Sequence, residues 1–132
     1  MVTLGRLCSD NTCLELRLVD EGTQWCQCWL LTENLAPRFL GADSTKVILS
    51  RLLDGLAGAI PRPGSEWLGR EVFWILSLAE AHHVLYVARE GADTLLLWQD
   101  AGTGTEAVSV MRLSPAQREE WVSTINSLNI AN

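Results

Sequence analysis

The chain has 132 residues, 48% apolar and 20% charged, with 10 basic residues against 16 acidic ones and a net charge of −6. That length is about one domain, long enough to bury roughly two thirds of its unfolded surface without help from metal or disulfide, and the composition excludes intrinsic disorder. The acidic balance argues against a nucleic-acid module, whose affinity comes mostly from neutralised phosphates.

Two biases remain: 6 Trp stand beside 1 Tyr and 2 Phe, and Lys46 is the single lysine. The N-terminus has no basic run leading into an apolar core, so no secretory signal is expected. The longest apolar candidate, Val72 to Leu78, falls far short of the roughly 18 residues of a membrane helix. A soluble cytoplasmic protein is therefore expected.

Val2 to Cys8 reads as a short strand, and Ser9-Asp10-Asn11-Thr12 as a four-residue hairpin loop. Such a loop sets Cys8 opposite Cys13, where an oxidising compartment would pair them. From Cys13 to Val19 the residues alternate, Leu14, Leu16 and Leu18 on one face and Glu15 and Arg17 on the other, as in a half-buried antiparallel strand. After the Asp20–Thr23 turn, Trp25 to Leu31 forms a third strand with Trp25, Gln27 and Trp29 on one face and Cys26, Cys28 and Leu30 on the other. Thr32 to Asp43, punctuated by Pro37 and Gly41, reads as a connector.

The period then changes. Ser44 or Asp43 can cap a helix whose stripe is Ile48, Leu49, Leu52, Leu53, Leu56 and Ile60, stopped by Pro61-Arg62-Pro63-Gly64. Four strands follow: Glu71 to Leu78, His83 to Arg89, Thr94 to Gln99 and Ala107 to Leu113. Ser114-Pro115-Ala116-Gln117 is a capping box with proline at the first helical position, opening a helix to about Asn129 that buries Trp121, Val122, Ile125 and Leu128.

The expected order is three strands, helix, four strands, helix (β3-α-β4-α), an α+β layout with both helices packed on the sheet. The chain reads as one α+β domain (1–132) with two architecturally similar halves, 1–62 and 63–132, that share no residue pattern. A meander plus helix used twice also occurs in single-strand-binding proteins of the whirly type and in some bacterial immunity and secretion-chaperone proteins. That is a likeness of layout, which does not carry function.

Sites of chemistry are sparse. Cys8, Cys13, Cys26 and Cys28 follow C-x4-C, C-x12-C and C-x-C spacings. Zinc prefers tighter knuckles, and C-x-C on a strand sets its side chains about 7 Å apart. They form an alternative metal set; the favoured reading has no metal and no cofactor. His82 and His83 are adjacent and point to opposite faces of a strand, and with Glu80 they are conceivable as an acid–base couple. Neither Gly55–Gly58 nor Gly102–Gly104 opens a helix after a strand, so no phosphate loop is present. Asp20-Glu21 and the Asp100/Glu106 pair lie in turns without further catalytic context.

The tryptophans divide. Trp74, Trp98 and Trp121 sit in apolar patterns and are expected in the core. Trp25 and Trp29, with Gln27 between them, share the face opposite the cysteines and make a candidate binding surface, since Trp and Arg are enriched at protein–protein hot spots. Trp67, flanked by Arg62 and Arg70, makes a second candidate.

The reading that results is a small acidic, non-catalytic protein–protein interaction module, inhibitor-, immunity- or chaperone-like, with a protein partner of basic character and no membrane or nucleic acid. Homodimerisation through sheet edges is the other association it allows. The alternatives are a single-stranded nucleic-acid binder of whirly-like architecture and a Cys-ligated metal protein.

Overall fold

A computed structural model describes residues 2–19, 24–33, 36–58, 61–67, 70–76, 83–100, 102 and 108–131, and side chains outside 59–82 and 130–132. Four strands come first: β1 (Val2–Ser9), β2 (Thr12–Leu18), β3 (Trp25–Thr32) and β4 (Arg38–Ser44), in that spatial order in one antiparallel sheet. Helix α1 (Thr45–Ala57) follows. A five-stranded antiparallel sheet comes next, in the order β5 (Pro61–Trp67), β6 (Arg70–Leu76), β7 (His83–Glu90), β8 (Asp93–Asp100), β9 (Val108–Leu113), and helix α2 (Pro115–Ala131) closes the chain.

The fold is thus α+β, but its order is β4-α-β5-α and not β3-α-β4-α. Each meander carries one strand more than the sequence pattern announces. β4, within the expected connector, reads Arg-Phe-Leu-Gly-Ala-Asp-Ser, with little β-propensity. It is an edge strand that takes its conformation from pairing with β3, through a bulge at Cys28/Trp29. β5 holds two prolines, which lack the ladder N–H and are confined to sheet edges and bulges. It lies at an edge, and its pairing with β6 shifts register between Pro61 and Glu66.

The β1–β2 turn is also tighter than expected. Ser9 pairs with Thr12, leaving Asp10 and Asn11 as a two-residue turn with Asp10 at φ 52°, a region that Asp tolerates better than most residues. Ser44 caps α1, its Oγ accepting from the Val47 amide at 3.3 Å. Gly58, at φ 67°, ends the helix before Ile60; its amide turns back to the carbonyls of Asp54 and Gly55. The capping box of α2 forms as expected: the Ser114 amide donates to Gln117 Oε1 at 2.8 Å and the Gln117 amide to Ser114 Oγ at 3.2 Å.

One apolar cluster takes residues from both sheets and both helices. It holds Leu14, Leu16, Cys26, Cys28 and Leu30 from the first sheet, Ile48, Leu49 and Leu52 from α1, Leu85, Val87 and Leu96 from the second sheet, and Trp121 and Ile125 from α2. The period-2 and period-3.6 stripes of the sequence point at this cluster. The second sheet is apolar on its other face too, where Val84, Tyr86, Ala88, Leu95 and Leu97 form a separate buried group. Polar stitches join the two halves: Ser9 Oγ donates to the Arg112 carbonyl and Trp121 Nε1 to the Cys8 carbonyl. Of the three tryptophans expected in the core, Trp121 is buried. Trp98 is half-buried at its margin, with the Arg38 guanidinium 3.9 Å above the ring. The side chain of Trp74 lies outside the described residues. Among the described residues, no helix is long and apolar enough to cross a membrane.

Candidate interaction face

Both helices pack against the leucine side of the first sheet, where α1 and α2 share the cluster with Leu14, Leu16 and Cys28. The other face carries the tryptophans. Its geometry follows from register. Cys8 pairs with Cys13, so Arg6, two residues before, pairs with Glu15, two residues after; Glu15 in turn pairs with Trp29, and Trp29 with Phe39. One row across all four strands is therefore Arg6–Glu15–Trp29–Phe39. The adjacent row is Arg17–Gln27–Ala42.

The rows interlock. Glu15, with its side chain only 4% exposed, receives Arg6 Nε at 2.6 Å and Arg17 Nε at 2.5 Å. The Arg17 guanidinium lies 4.7 Å from the Trp29 ring centre, and Trp29 packs at 5.2 Å against Phe39. The Trp29 indole donates to Gln27 Oε1 at 3.1 Å. Burial raises the affinity of the Glu15 carboxyl for its proton, but the hydrogen bonds and charges of Arg17 and Arg6 outweigh it, so the pKa stands below the ordinary carboxylate value. Among the described residues, two guanidiniums against one carboxylate leave this patch positive in a protein that is negative overall.

At one end of the face Trp25 is 47% exposed and Val19 39% exposed, and the Val19 amide donates to the Trp25 carbonyl at 3.2 Å. An uncovered apolar pair thus borders the arginines. At the other end Cys8 and Cys13 form a disulfide across the hairpin, with Cα atoms 4.1 Å apart.

The structure brings Trp25, Gln27 and Trp29 onto one face, as the alternation of β3 implies, with Trp25 exposed and Gln27 and Trp29 half-buried. Trp67, Arg62 and Arg70 belong to β5 and β6 of the other sheet, and their side chains lie outside the described residues. Glu15 and Arg17 lie beside the tryptophans as the alternation of β2 implies, and the structure adds Arg6 and Phe39 to the face. Arg6 and Glu15 follow from the same hairpin that opposes Cys8 and Cys13; Phe39 needed β4, which the sequence pattern hides.

The four cysteines do not converge. Cys8 and Cys13 sit on the tryptophan face, whereas Cys26 and Cys28 are buried on the opposite face. Burial pushes the Cys26 thiol up to about 11 against a weak backbone hydrogen bond, and pushes Cys28, aided by the neighbouring Cys26, far above the ordinary thiol value. Among the described residues, no group of three or more His, Cys, Asp or Glu is placed to hold a metal ion. His83 accepts the Trp98 indole N–H at Nδ1, at 3.2 Å, and its ring lies tilted by 32° against that ring, centres 5.4 Å apart. Glu80 and His82 lie outside the described residues, as do Asp20, Glu21 and Glu106; Asp100 accepts the Gly102 amide at 3.0 Å. An open groove of about 840 Å³ runs between α1 and α2, floored by Leu53, Leu56 and Val122 and rimmed by Asp54, Arg118 and Glu119.

These features define an α+β protein of two antiparallel meanders, each followed by a helix, with one aromatic and cationic sheet face left open. No family model, curated protein or solved structure matches the chain.

Proposed function

We propose that the protein is a non-catalytic protein–protein interaction module that docks its partner on the outer face of the first sheet, with Trp25 as the anchor and the Trp29–Arg17 stack as its rigid neighbour. The observation that carries this reading is the exposure of Trp25, 47%, on a sheet face that neither helix covers. A large aromatic is left in water at a cost in burial, and such residues dominate binding energy when a partner desolvates them. The surrounding side chains are already fixed by ion pairs and ring contacts, so little ordering entropy is lost on binding. An inhibitor, immunity or chaperone role fits a module of this kind.

The same aromatics could stack on a single strand of nucleic acid, but the two arginines here are half neutralised by Glu15. Nucleic-acid affinity requires several uncompensated cations. The test is quantitative affinity capture from the native host with the wild type and with Trp25→Ala. A stoichiometric protein partner is expected on the wild type, with affinity reduced about 30-fold by the substitution, the effect of a single tryptophan hot spot. Failure to capture one, or capture unaffected by Trp25→Ala, refutes the proposal.

A further inference from the structure

The ladder beneath Trp25 has donors left over. Arg6 and Arg17 each spend Nε on Glu15. Among the described residues neither guanidinium has a further hydrogen-bond partner for its terminal nitrogens. The Arg6 side chain is 59% exposed and that of Arg17 26% exposed. The Trp29 ring, 4.7 Å from the Arg17 guanidinium carbon, helps to hold that group in place, so its fork is presented rather than searched for. On the strand opposite Arg17 stands Gln27, and Trp25 is the next residue on that face, a diagonal neighbour about 7–8 Å away. A cationic spot and an exposed apolar spot therefore lie one side-chain repeat apart.

Resting on the docking role given above to this face, we propose that its occupant is an acidic–apolar segment of the partner protein. One carboxylate would engage the outer nitrogens of Arg17 and Arg6, and a bulky apolar side chain about 7 Å along, the spacing of alternate residues in an extended segment, would cover Trp25 and Val19. Charge complementarity commits the choice: among the described residues the patch holds two cations for one anion, so a basic segment would meet two guanidiniums whose shared carboxylate is already engaged.

The experiment is selection of a random displayed-peptide library on the immobilised wild-type protein. Titration of the enriched peptides against the wild type, Arg17→Gln, Arg6→Gln and Trp25→Ala then follows, each variant checked for folding by circular dichroism. The expected consensus has Asp or Glu two positions from Trp, Phe or Leu. Its affinity should fall about tenfold in Arg17→Gln, the worth of one charge-assisted hydrogen bond, less in Arg6→Gln, and should weaken as salt rises. Arg6 is mostly exposed, so its variant folds and keeps the test valid if Arg17→Gln does not.

Peptides that need Trp25 but carry no acidic residue, or that bind Arg17→Gln and Arg6→Gln unchanged, overturn the acidic occupant and leave the docking role standing. A selection with no peptide sensitive to Trp25→Ala overturns both. Binding of a labelled oligothymidylate that Trp25→Ala abolishes also overturns the acidic occupant, because a phosphate backbone would then be the anion recognised.

Discussion

Replacing Glu15 with Gln tests the arrangement that holds the open face together. The substitution keeps the volume and removes the charge that two arginines share. Arg17 is three-quarters buried at its bond to Glu15, and a hydrogen bond to a charged group in such a setting contributes about 1.5–3 kcal/mol. Arg6 is mostly in water, and its share is at most about 1 kcal/mol. The amide of Gln still accepts one of the two bonds, so Glu15→Gln is expected to cost about 2 kcal/mol. Arg17→Gln should cost nearly as much, and Arg6→Gln under about 1 kcal/mol.

Urea unfolding followed by far-ultraviolet circular dichroism, and not by fluorescence that Trp29 would confound, should show the midpoint of Glu15→Gln lower by about 1 M. The pH dependence has a fixed sign. The folded-state pKa of Glu15 lies below its unfolded value, so its contribution is complete above the unfolded pKa of about 4.3 and is lost as pH falls through the folded one. The gap between wild type and Glu15→Gln should therefore be constant from neutral pH down to about 5 and close below that. An Arg6→Gln cost equal to that of Arg17→Gln, or a gap that widens in acid, would refute the reasoning.

Two further outcomes bear on the rest of the fold. Native oxidised protein should show no thiol that reacts quickly with Ellman's reagent, since Cys26 and Cys28 are buried with raised pKa values. Mild reduction should expose two reactive thiols, Cys8 and Cys13, and prompt labelling of Cys26 before reduction would contradict this placement. Ser114→Ala removes the cap of α2 and should cost about 1 kcal/mol in the same urea assay, and a neutral result would mean that the capping box does not form in solution.

What was legible in the sequence was whatever rested on local periodicity and capping. β2 and β3 alternate cleanly, α1 and α2 carry apolar stripes with Ser44 and Ser114 before them, and all four appear where expected. β4 and β5 were hidden because edge strands need not look like strands. Gly41 and Asp43 in the one and two prolines in the other lower β-propensity, and only the neighbouring strand supplies the conformation. The candidate face was half legible for the same reason. Trp25, Gln27 and Trp29 share a face by strand alternation, whereas their environment depends on inter-strand register. Arg6 is fixed by the regular register from the β1–β2 turn, but the β3–β4 pairing contains a bulge at Cys28/Trp29, and a one-residue slip there would have moved Phe39 to the other side of the sheet. Arg62, Trp67 and Arg70, read in the sequence as flanking a loop, belong to the strands β5 and β6, where Trp67 pairs with Arg70.

Net charge and local charge point to different partners, and distance decides which applies where. The −6 of the whole chain acts at long range and favours encounter with basic proteins, but at physiological salt it is screened beyond about 8 Å. Within that distance a docked segment meets Arg6 and Arg17 with Glu15 already consumed between them. Glu15 is therefore better understood as an internal counter-ion that keeps two guanidiniums side by side than as an acidic feature of the surface. Without it their mutual repulsion would drive the forks apart, and the Trp29 stack would hold only one of them. It follows that Glu15→Gln should weaken an acidic peptide at this face even though it removes a negative charge from it. That direction is opposite to what net charge alone predicts, so the sign of the change, measured on the peptides that need Trp25, separates a preorganised arginine pair from a merely positive surface.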